Sequence, residues 1–187
     1  MAEFMNFGTH PNKKDPTYRS HIFRYRFARG WIEPGWTVVD GACGTGYGSA
    51  ILSDIASKVT GIDRNADCIK TANSDHYSEN IDFIQRDLDD IENWNIQVDA
   101  WVTIETIEHL KDPKKYAEMI KRKTRSRIIL TCPIVPTKAT NPHHLHDIAV
   151  EDINAWFGDE YWFMVHHALQ GPYIMTVFSN EFSDKNL

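Results

Sequence analysis

The glycine-rich stretch "VVDGACGTGYGSA", residues 38–50, constrains the fold more than any other part of the chain. Four of the ten glycines lie within eight positions of it, from Gly41 to Gly48. Glycine weakens strands and helices alike, so such a cluster requires a reason in the backbone. The β-branched residues before the glycines predict a strand, and "YGSAILSDIAS" after them predicts a helix. This arrangement indicates a ligand that lies against bare main chain at a helix N-terminus.

Strands and helices alternate along the rest of the chain. The patterns predict strands in "VTGID", "IDFIQRD", "VDAWVTI" and "RIILTCP", separated by helices, and two successive strands at the end, "YWFMVHHALQ" and "YIMTVFSN". This order predicts a mostly parallel α/β sheet with an antiparallel edge, in a single domain. We expect residues 36–187 to form its core and residues 1–35 to form an N-terminal segment and helix that cap the site.

Composition limits the classes of protein to which the chain can belong. Its 187 residues suffice for one well-buried domain, and 42% hydrophobic residues are typical of a globular chain. No apolar run has the length of a membrane span, the N-terminus lacks the apolar core of a signal peptide, and the three cysteines form no CxxC pair. We therefore expect a reduced, cytoplasmic protein without a membrane partner.

The net charge of −6 argues against indiscriminate binding of nucleic acid, which stays a possible but not a favoured partner. Lysine and arginine nevertheless concentrate in two runs, from Lys13 to Arg29 and from Lys111 to Arg127. The first run could meet a phosphate or carboxylate of a substrate, or it could be a solvated helix face. We expect the second run, from Lys121 onward, to lie far from the ligand.

Acidic residues stand where the predicted strands end, at Asp40, Asp63, Asp87 and Glu105. Ligands of such sheets bind outside the carboxyl ends of the strands. A dinucleotide site would have the spacing GxGxxG, whereas "GTGYG" has GxGxG. An acid at Asp40 would also repel a pyrophosphate. It suits instead a ligand with positive charge, such as an amino group or a sulfonium.

Four segments, "VVDGACGTGYGSAIL", "VTGIDRNADCI", "IDFIQRDLDD" and "DAWVTIETIEHLKDP", resemble the class I S-adenosylmethionine-dependent methyltransferases in order and spacing. The resemblance covers roughly residues 20–175. "ETIEHL" and "NPHHLHDI" are similar to a branch associated with methylation of sugars and small molecules. The resemblance implies a Rossmann-like, doubly wound, mostly parallel seven-stranded sheet with an antiparallel edge strand. It also implies a methyltransferase that uses S-adenosyl-L-methionine, with O-methylation of a small-molecule or sugar-like acceptor as the expected reaction.

The resemblance assigns cofactor contacts by position. The glycine loop would hold the methionine portion, and Asp63 would bind the ribose hydroxyls. Asp87 and the backbone of Leu88 would contact the adenine. Glu105 would lie beside the sulfonium. The full set of expected cofactor-binding residues is Asp40, Gly41, Ala42, Gly44, Gly46, Asp63, Arg64, Asp87, Leu88 and Glu105.

The acceptor side carries the candidate catalytic residues His144, Glu105, Glu108 and His109. A histidine can remove a hydroxyl proton near neutral pH, and His144 matches the NPxH pattern of the branch. We expect its neighbours His143 and His146 to belong to a polar surface loop.

Two glutamates and two histidines also resemble the metal ligands of small-RNA 3′-end 2′-O-methyltransferases and of ubiquinone-pathway O-methyltransferases. A divalent cation there could hold a diol and lower its hydroxyl pKa. Alternatively, Glu108 and His109 cap the turn after the fourth strand. The sequence thus leaves open whether a metal is held. A metal-dependent RNA 3′-end 2′-O-methyltransferase and a non-catalytic S-adenosylmethionine-binding module stay as alternatives, and the oligomeric state is not determined.

Overall fold

The computed structural model describes residues 15–180. Five helices and seven strands make up this part of the chain. The helices are α1 Pro16–Arg29, α2 Tyr47–Ser53, α3 Ala66–Asp75, α4 Pro113–Lys123 and α5 Val150–Phe157. The strands are β1 Thr37–Gly41, β2 Lys58–Asp63, β3 Ile81–Gln85, β4 Val98–Ile104, β5 Thr124–Pro133, β6 Trp162–Gln170 and β7 Tyr173–Asn180. Short 3₁₀ turns follow β3 at Leu88–Asp90 and β4 at Ile107–His109.

The strands form one sheet in the order β3-β2-β1-β4-β5-β7-β6. Strands β1 to β5 are parallel, and β7 pairs antiparallel with both β5 and β6. The predicted Rossmann-like sheet is confirmed, with β6 at the edge and β7 beside it. The order of the strands reverses between β1 and β4, and in doubly wound sheets this switch point is where ligands bind.

Apolar layers cover both faces of the sheet. One layer packs α4 and α5 against β4 and β7 and includes Trp101, Tyr116 and Phe157. The other packs α1 and α2 on the opposite face and includes Tyr25 and Leu52. Helices on both faces explain why β4 is almost continuously apolar in sequence, since both sides of a central parallel strand are buried.

Helix α1 begins at Pro16, where the Asp15 side chain accepts a hydrogen bond from the Thr17 amide, and it ends next to Gly30 as expected. Its buried face is more polar than its apolar spacing suggested, because His21 and Arg24 are buried on it together with Tyr25 and Ala28. Lys13 and Lys14 of the first basic run lie outside the described residues. Among residues 15–180, no helix is both long and apolar enough to cross a membrane.

Candidate functional site

A cavity of about 640 Å³ opens at the carboxyl ends of the parallel strands. Its walls come from nearly the whole described chain, from Thr17 on α1 to Tyr173 on β7. Most of the residues expected at the site line it: Ala42, Gly44, Asp63, Arg64, Asp87, Leu88, Glu105, Glu108, His109 and His144. The cavity therefore lies at the switch point between β1 and β4.

The glycine loop needs its glycines for two different reasons. Gly44 has a φ of 55° and open space where a side chain would be, so its bare backbone faces the cavity. Gly46 has a φ of 86°, and a Cβ there would lie 2.7 Å from Ala72 and from Phe83. Gly46 is thus needed for close packing against α3 and β3 and does not line the cavity.

Asp63 is held in place by two backbone amides. Its Oδ2 accepts from the Gly44 amide at 3.0 Å and its Oδ1 accepts from the Asn65 amide at 2.8 Å. The carboxylate therefore ties the glycine loop to the end of β2 while it stays half-buried in the cavity wall. Asp87 lines the same end of the cavity, and its Oδ1 accepts from the Asp89 amide at 3.0 Å.

Asp40 and Gly41 differ from the expectation, because neither lines the cavity. Asp40 is fully buried, with Tyr25 Oη 3.2 Å from its Oδ1 and Ser49 Oγ 2.7 Å from its Oδ2. Burial raises the pKa of Asp40 to about 7, although both hydrogen bonds oppose this shift. A Cβ at Gly41 would lie 2.9 Å from Tyr116 Oη. Successive strand residues face opposite sides of the sheet, so Asp40 faces Tyr25 and Ser49 on one side while Gly41 faces Tyr116 on the other.

Glu105 follows β4 with a φ of 52°, a conformation that is uncommon outside glycine. Its Oε1 accepts from Thr131 Oγ1 at 2.7 Å, and Arg24 Nη1 lies 3.6 Å from its Oε2. Burial raises the pKa of Glu105 to about 7, while the charge of Arg24 and the Thr131 hydrogen bond oppose the shift. The structure thus turns Glu105 toward α1 and β5.

The other three candidate catalytic residues form one group at the far side of the cavity. Glu108, His109 and His144 bring one ligand atom each to within 4.8 Å of one another, and Glu108 is 1% exposed. The rings of His109 and His144 pack edge to face, with 4.7 Å between their centres. Glu105 is not a member of this group, so the structure does not gather the four residues into one cluster.

The loop after β5 is fastened to the turn after β4, and this brings the two histidines together. The Leu145 amide donates to the Glu108 carbonyl at 2.8 Å. His109 Nδ1 lies 3.0 Å from the carbonyl oxygen of His143, which can only accept, so Nδ1 carries a proton. His144 Nδ1 lies 2.6 Å from Thr137 Oγ1.

The flanking histidines have other surroundings. His146 Nε2 lies 2.9 Å from the Leu110 carbonyl, outside the group around Glu108. His143 lines the cavity, and its carbonyl oxygen orients His109. These two contacts join the loop after β5 to His109 and Leu110, in the segment that follows β4.

Sequence reasoning missed the aromatic wall that α1 and the glycine loop build over the cavity. His21, Tyr25 and Tyr47 line it, with His21 Nδ1 3.1 Å from Tyr47 Oη. Burial, together with the charge of Arg24, lowers the pKa of His21 to about 4. The signal was present in the spacing of His21, Tyr25 and Ala28, which places these residues on one face of a helix.

Several residues of the basic runs pair with acids or carbonyl groups. Arg29 pairs with Asp54 at 2.7 Å, and Lys121 pairs with Asp159 at 2.7 Å. Lys123 donates to the carbonyl of Glu92 at 3.1 Å. Residues 121–127 do not line the cavity. Lys111, the first lysine of the second run, does line it.

Known proteins agree with this fold. The magnesium protoporphyrin IX methyltransferase of Synechocystis PCC 6803, solved with S-adenosylhomocysteine, has a TM-score of 0.75 at 15% identity, covering 87% of this chain and 84% of that one. A putative methyltransferase from Haloferax volcanii, in complex with the Trm112 activator, has a TM-score of 0.74 at 14% identity. The match covers 90% of this chain and 94% of that one.

The N-methyltransferase NodS of Bradyrhizobium japonicum WM9, also solved with S-adenosylhomocysteine, has a TM-score of 0.72 at 15% identity and covers 90% of both chains. No curated protein matches the sequence significantly. A family model described as a methyltransferase domain matches residues 32–177. The chain is an enzyme that belongs to this methyltransferase domain family, and it has the Rossmann-like fold of the S-adenosylmethionine-dependent methyltransferases.

Proposed function

We propose that this methyltransferase transfers the methyl group of S-adenosyl-L-methionine to a hydroxyl group of a small-molecule or sugar-like acceptor. The observation that carries the proposal is the division of one cavity into two ends. Half-buried acids and bare glycine backbone lie at the ends of β1, β2 and β3, and the group of Glu108, His109 and His144 lies beyond β4 and β5.

The first end suits the donor. Asp63 already accepts from two amides and has further lone pairs for the ribose hydroxyls, since a carboxylate accepts several hydrogen bonds. Asp87 and Leu88 line the cavity and would meet the adenine, and Gly44 leaves room for the ligand to approach the backbone. Two of the structural relatives are complexes with S-adenosylhomocysteine, the product of this donor.

The second end suits proton removal from the acceptor. During transfer the sulfur–methyl bond breaks while the oxygen–methyl bond forms, and the hydroxyl proton must leave. His144 lines the cavity, and its Nδ1 is oriented by Thr137 at 2.6 Å. A neutral imidazole can accept that proton near neutral pH. The α1 and glycine-loop aromatic residues, with Tyr173, would enclose the acceptor.

Donor binding tests the first half of the proposal. Asp63→Ala should weaken S-adenosylmethionine and S-adenosylhomocysteine binding by about 1.5–3 kcal/mol, the range for hydrogen bonds to a charged group. Calorimetry measures this, and Asp67→Ala on the exposed side of α3 is the matched control, which should bind normally. Tight binding of NAD by the wild type, with no affinity for S-adenosylmethionine, would contradict the donor assignment.

Methyl transfer itself tests the second half. Incubation with labelled S-adenosylmethionine and separate sets of sugar nucleotides, phenols and short RNAs should label a small-molecule acceptor. Labelling of RNA ends alone would favour the RNA methyltransferase. Tight donor binding with no transfer to any acceptor would favour a non-catalytic binding module.

A second candidate function is metal-assisted methylation of an acceptor with neighbouring hydroxyl groups. The three side chains of the group of Glu108, His109 and His144 fit a divalent cation, because a carboxylate and two imidazoles supply oxygen and nitrogen ligands. The Nδ1 atoms of His109 and His144 each have an oxygen partner, an arrangement that orients metal-binding histidines. A cation bound there would act as a Lewis acid on a hydroxyl oxygen. Glu108, His109 and His144 would hold it, while Glu105 is turned to Arg24.

Metal removal separates the two candidates. The small-molecule proposal expects transfer to persist after exhaustive chelation. If activity vanishes and returns with magnesium or manganese, the metal-assisted reaction replaces it. Calorimetric titration with manganese gives an independent answer: a metal site predicts binding that is lost in His144→Ala and kept in His167→Ala, an exposed histidine of β6.

A further inference from the structure

A buried arginine, Arg24 of α1, reaches Glu105 from behind the wall of the cavity. Its side chain is only 2% exposed, and its guanidinium lies 3.8 Å from the centre of the Tyr173 ring. Its Nε donates to Gln170 Oε1 at 2.8 Å, and its Nη1 lies 3.6 Å from Glu105 Oε2. A buried charge is costly unless it is paired and hydrogen-bonded, so this arginine needs a reason to be there.

The partners of Arg24 fix its direction. Gln170 ends β6 and also accepts from Ser20 Oγ at 3.2 Å, while Tyr173 begins β7. A planar guanidinium with one face on a ring and one nitrogen bonded to an amide has little freedom to rotate. Its Nη1 is thereby held beside Glu105.

The two oxygens of Glu105 consequently have different neighbours. Thr131 on β5 donates to Oε1, and Arg24 lies beside Oε2. Glu105 follows β4, the neighbour of β1 in the sheet, and lines the cavity together with Ala42 and Gly44 of the glycine loop. Glu108, three residues later, faces His109 and His144 instead.

We infer that Arg24 is a positioning residue that holds the Glu105 carboxylate at the donor end of the cavity, beside the place of the sulfonium, and so gives the two glutamates of "ETIEH" separate tasks. The inference rests on the proposed function, because it assigns that end to S-adenosylmethionine. The charge of Arg24 also opposes the burial that raises the pKa of Glu105.

A double-mutant cycle tests whether Arg24 acts through Glu105. Arg24→Met and Glu105→Gln should each weaken S-adenosylmethionine binding about tenfold near neutral pH, as expected for loss of a charged partner. Because the two residues act as one unit, Arg24→Met should weaken S-adenosylmethionine binding only about twofold in a protein that already carries Glu105→Gln. S-adenosylhomocysteine lacks the sulfonium charge, so its affinity should change much less in all variants.

Controls make the result decisive. Arg29→Met removes a charge from the exposed end of the same helix and should leave both affinities unchanged. Arg24→Lys keeps the charge and should lose less affinity than Arg24→Met. If Arg24→Met does not fold, Gln170→Leu removes the anchor of Arg24 and should show the same dependence on Glu105 with a smaller loss.

The inference would be overturned if Arg24→Met weakened S-adenosylmethionine binding equally in the wild type and in Glu105→Gln. It would also be overturned if the affinities for S-adenosylmethionine and S-adenosylhomocysteine fell equally. Arg24 would then be a packing residue. A wild-type protein that binds neither ligand would instead overturn the proposed function together with this inference.

Discussion

Ala42 and Glu105, which directly follow the adjacent strands β1 and β4 at the switch point, have left-handed backbone conformations with φ angles of 61° and 52°. Such conformations cost about 1–3 kcal/mol outside glycine and persist only where the surroundings hold them. Hydrogen bonds from the neighbouring strands do this here: the Cys43 amide donates to the Ile62 carbonyl at 2.9 Å, and the Glu105 amide donates to the Thr131 carbonyl at 2.9 Å. The strain lies where the donor is expected to bind, which supports a role in shaping that end of the cavity.

Asp40 gives a pH-dependent prediction at the scale of a single residue. Its pKa in the folded protein, about 7, lies above the value of about 3.9 expected in an unfolded chain. The unfolded state therefore loses the proton first, and Asp40 reduces stability increasingly as the pH rises from about 4 to about 7. Asp40→Asn cannot ionise and can keep hydrogen bonds to Tyr25 and Ser49. Its melting temperature relative to the wild type should rise across this window.

Thermal unfolding at several pH values measures the effect. A difference between Asp40→Asn and the wild type that stays constant across the window would mean that the buried carboxylate keeps an ordinary pKa.

At the scale of elements, the packing of α1 against α2 depends on a single glycine. Gly48 stands in the first turn of α2 directly beneath Tyr25, and a Cβ at Gly48 would lie 2.0 Å from that ring. Tyr25 in turn reaches Asp40 and lines the cavity. The absence of a side chain at Gly48 therefore allows α1 to pack against the start of α2.

Gly48→Ala should displace α1 and destabilise the protein by about 1–3 kcal/mol, the range for overpacking in a core. Donor affinity should fall with it, because the Tyr25 ring that lies against Gly48 also bonds Asp40, the residue directly before the glycine loop. Gly30→Ala, at the end of α1 with a φ of −65°, is the matched control and should cost far less. Chemical unfolding and calorimetry measure both effects. A stable Gly48→Ala variant with native donor affinity would show that α1 does not need this glycine.

At the scale of the whole molecule, the sequence predicted the parts that depend on short-range patterns. Runs such as "VDAWVTI" indicated buried strands, and the acids after β2 and β3 do line the cavity. Residue spacing could not show which way a side chain turns at a strand end. Asp40 and Glu105 were both expected to meet the ligand, yet one faces Tyr25 and Ser49 behind the loop while the other faces Arg24 and the cavity. Those directions depend on contacts between distant segments.

The walls of the cavity come from nearly the whole described chain, so ligand binding should stabilise the molecule as a unit. S-adenosylhomocysteine at about 100 times its dissociation constant should add about 2.7 kcal/mol to the free energy of unfolding. For a domain of this size that corresponds to roughly 5–10 °C in melting temperature. Hydrogen exchange should slow on binding both in α1 and in the loop between β5 and α5, since each lines the cavity. Asp63→Ala at the same ligand concentration should show a smaller shift, and NAD should produce none. Slower exchange confined to the glycine loop would mean that α1 and the histidine loop do not close over the donor, and that they serve the acceptor alone.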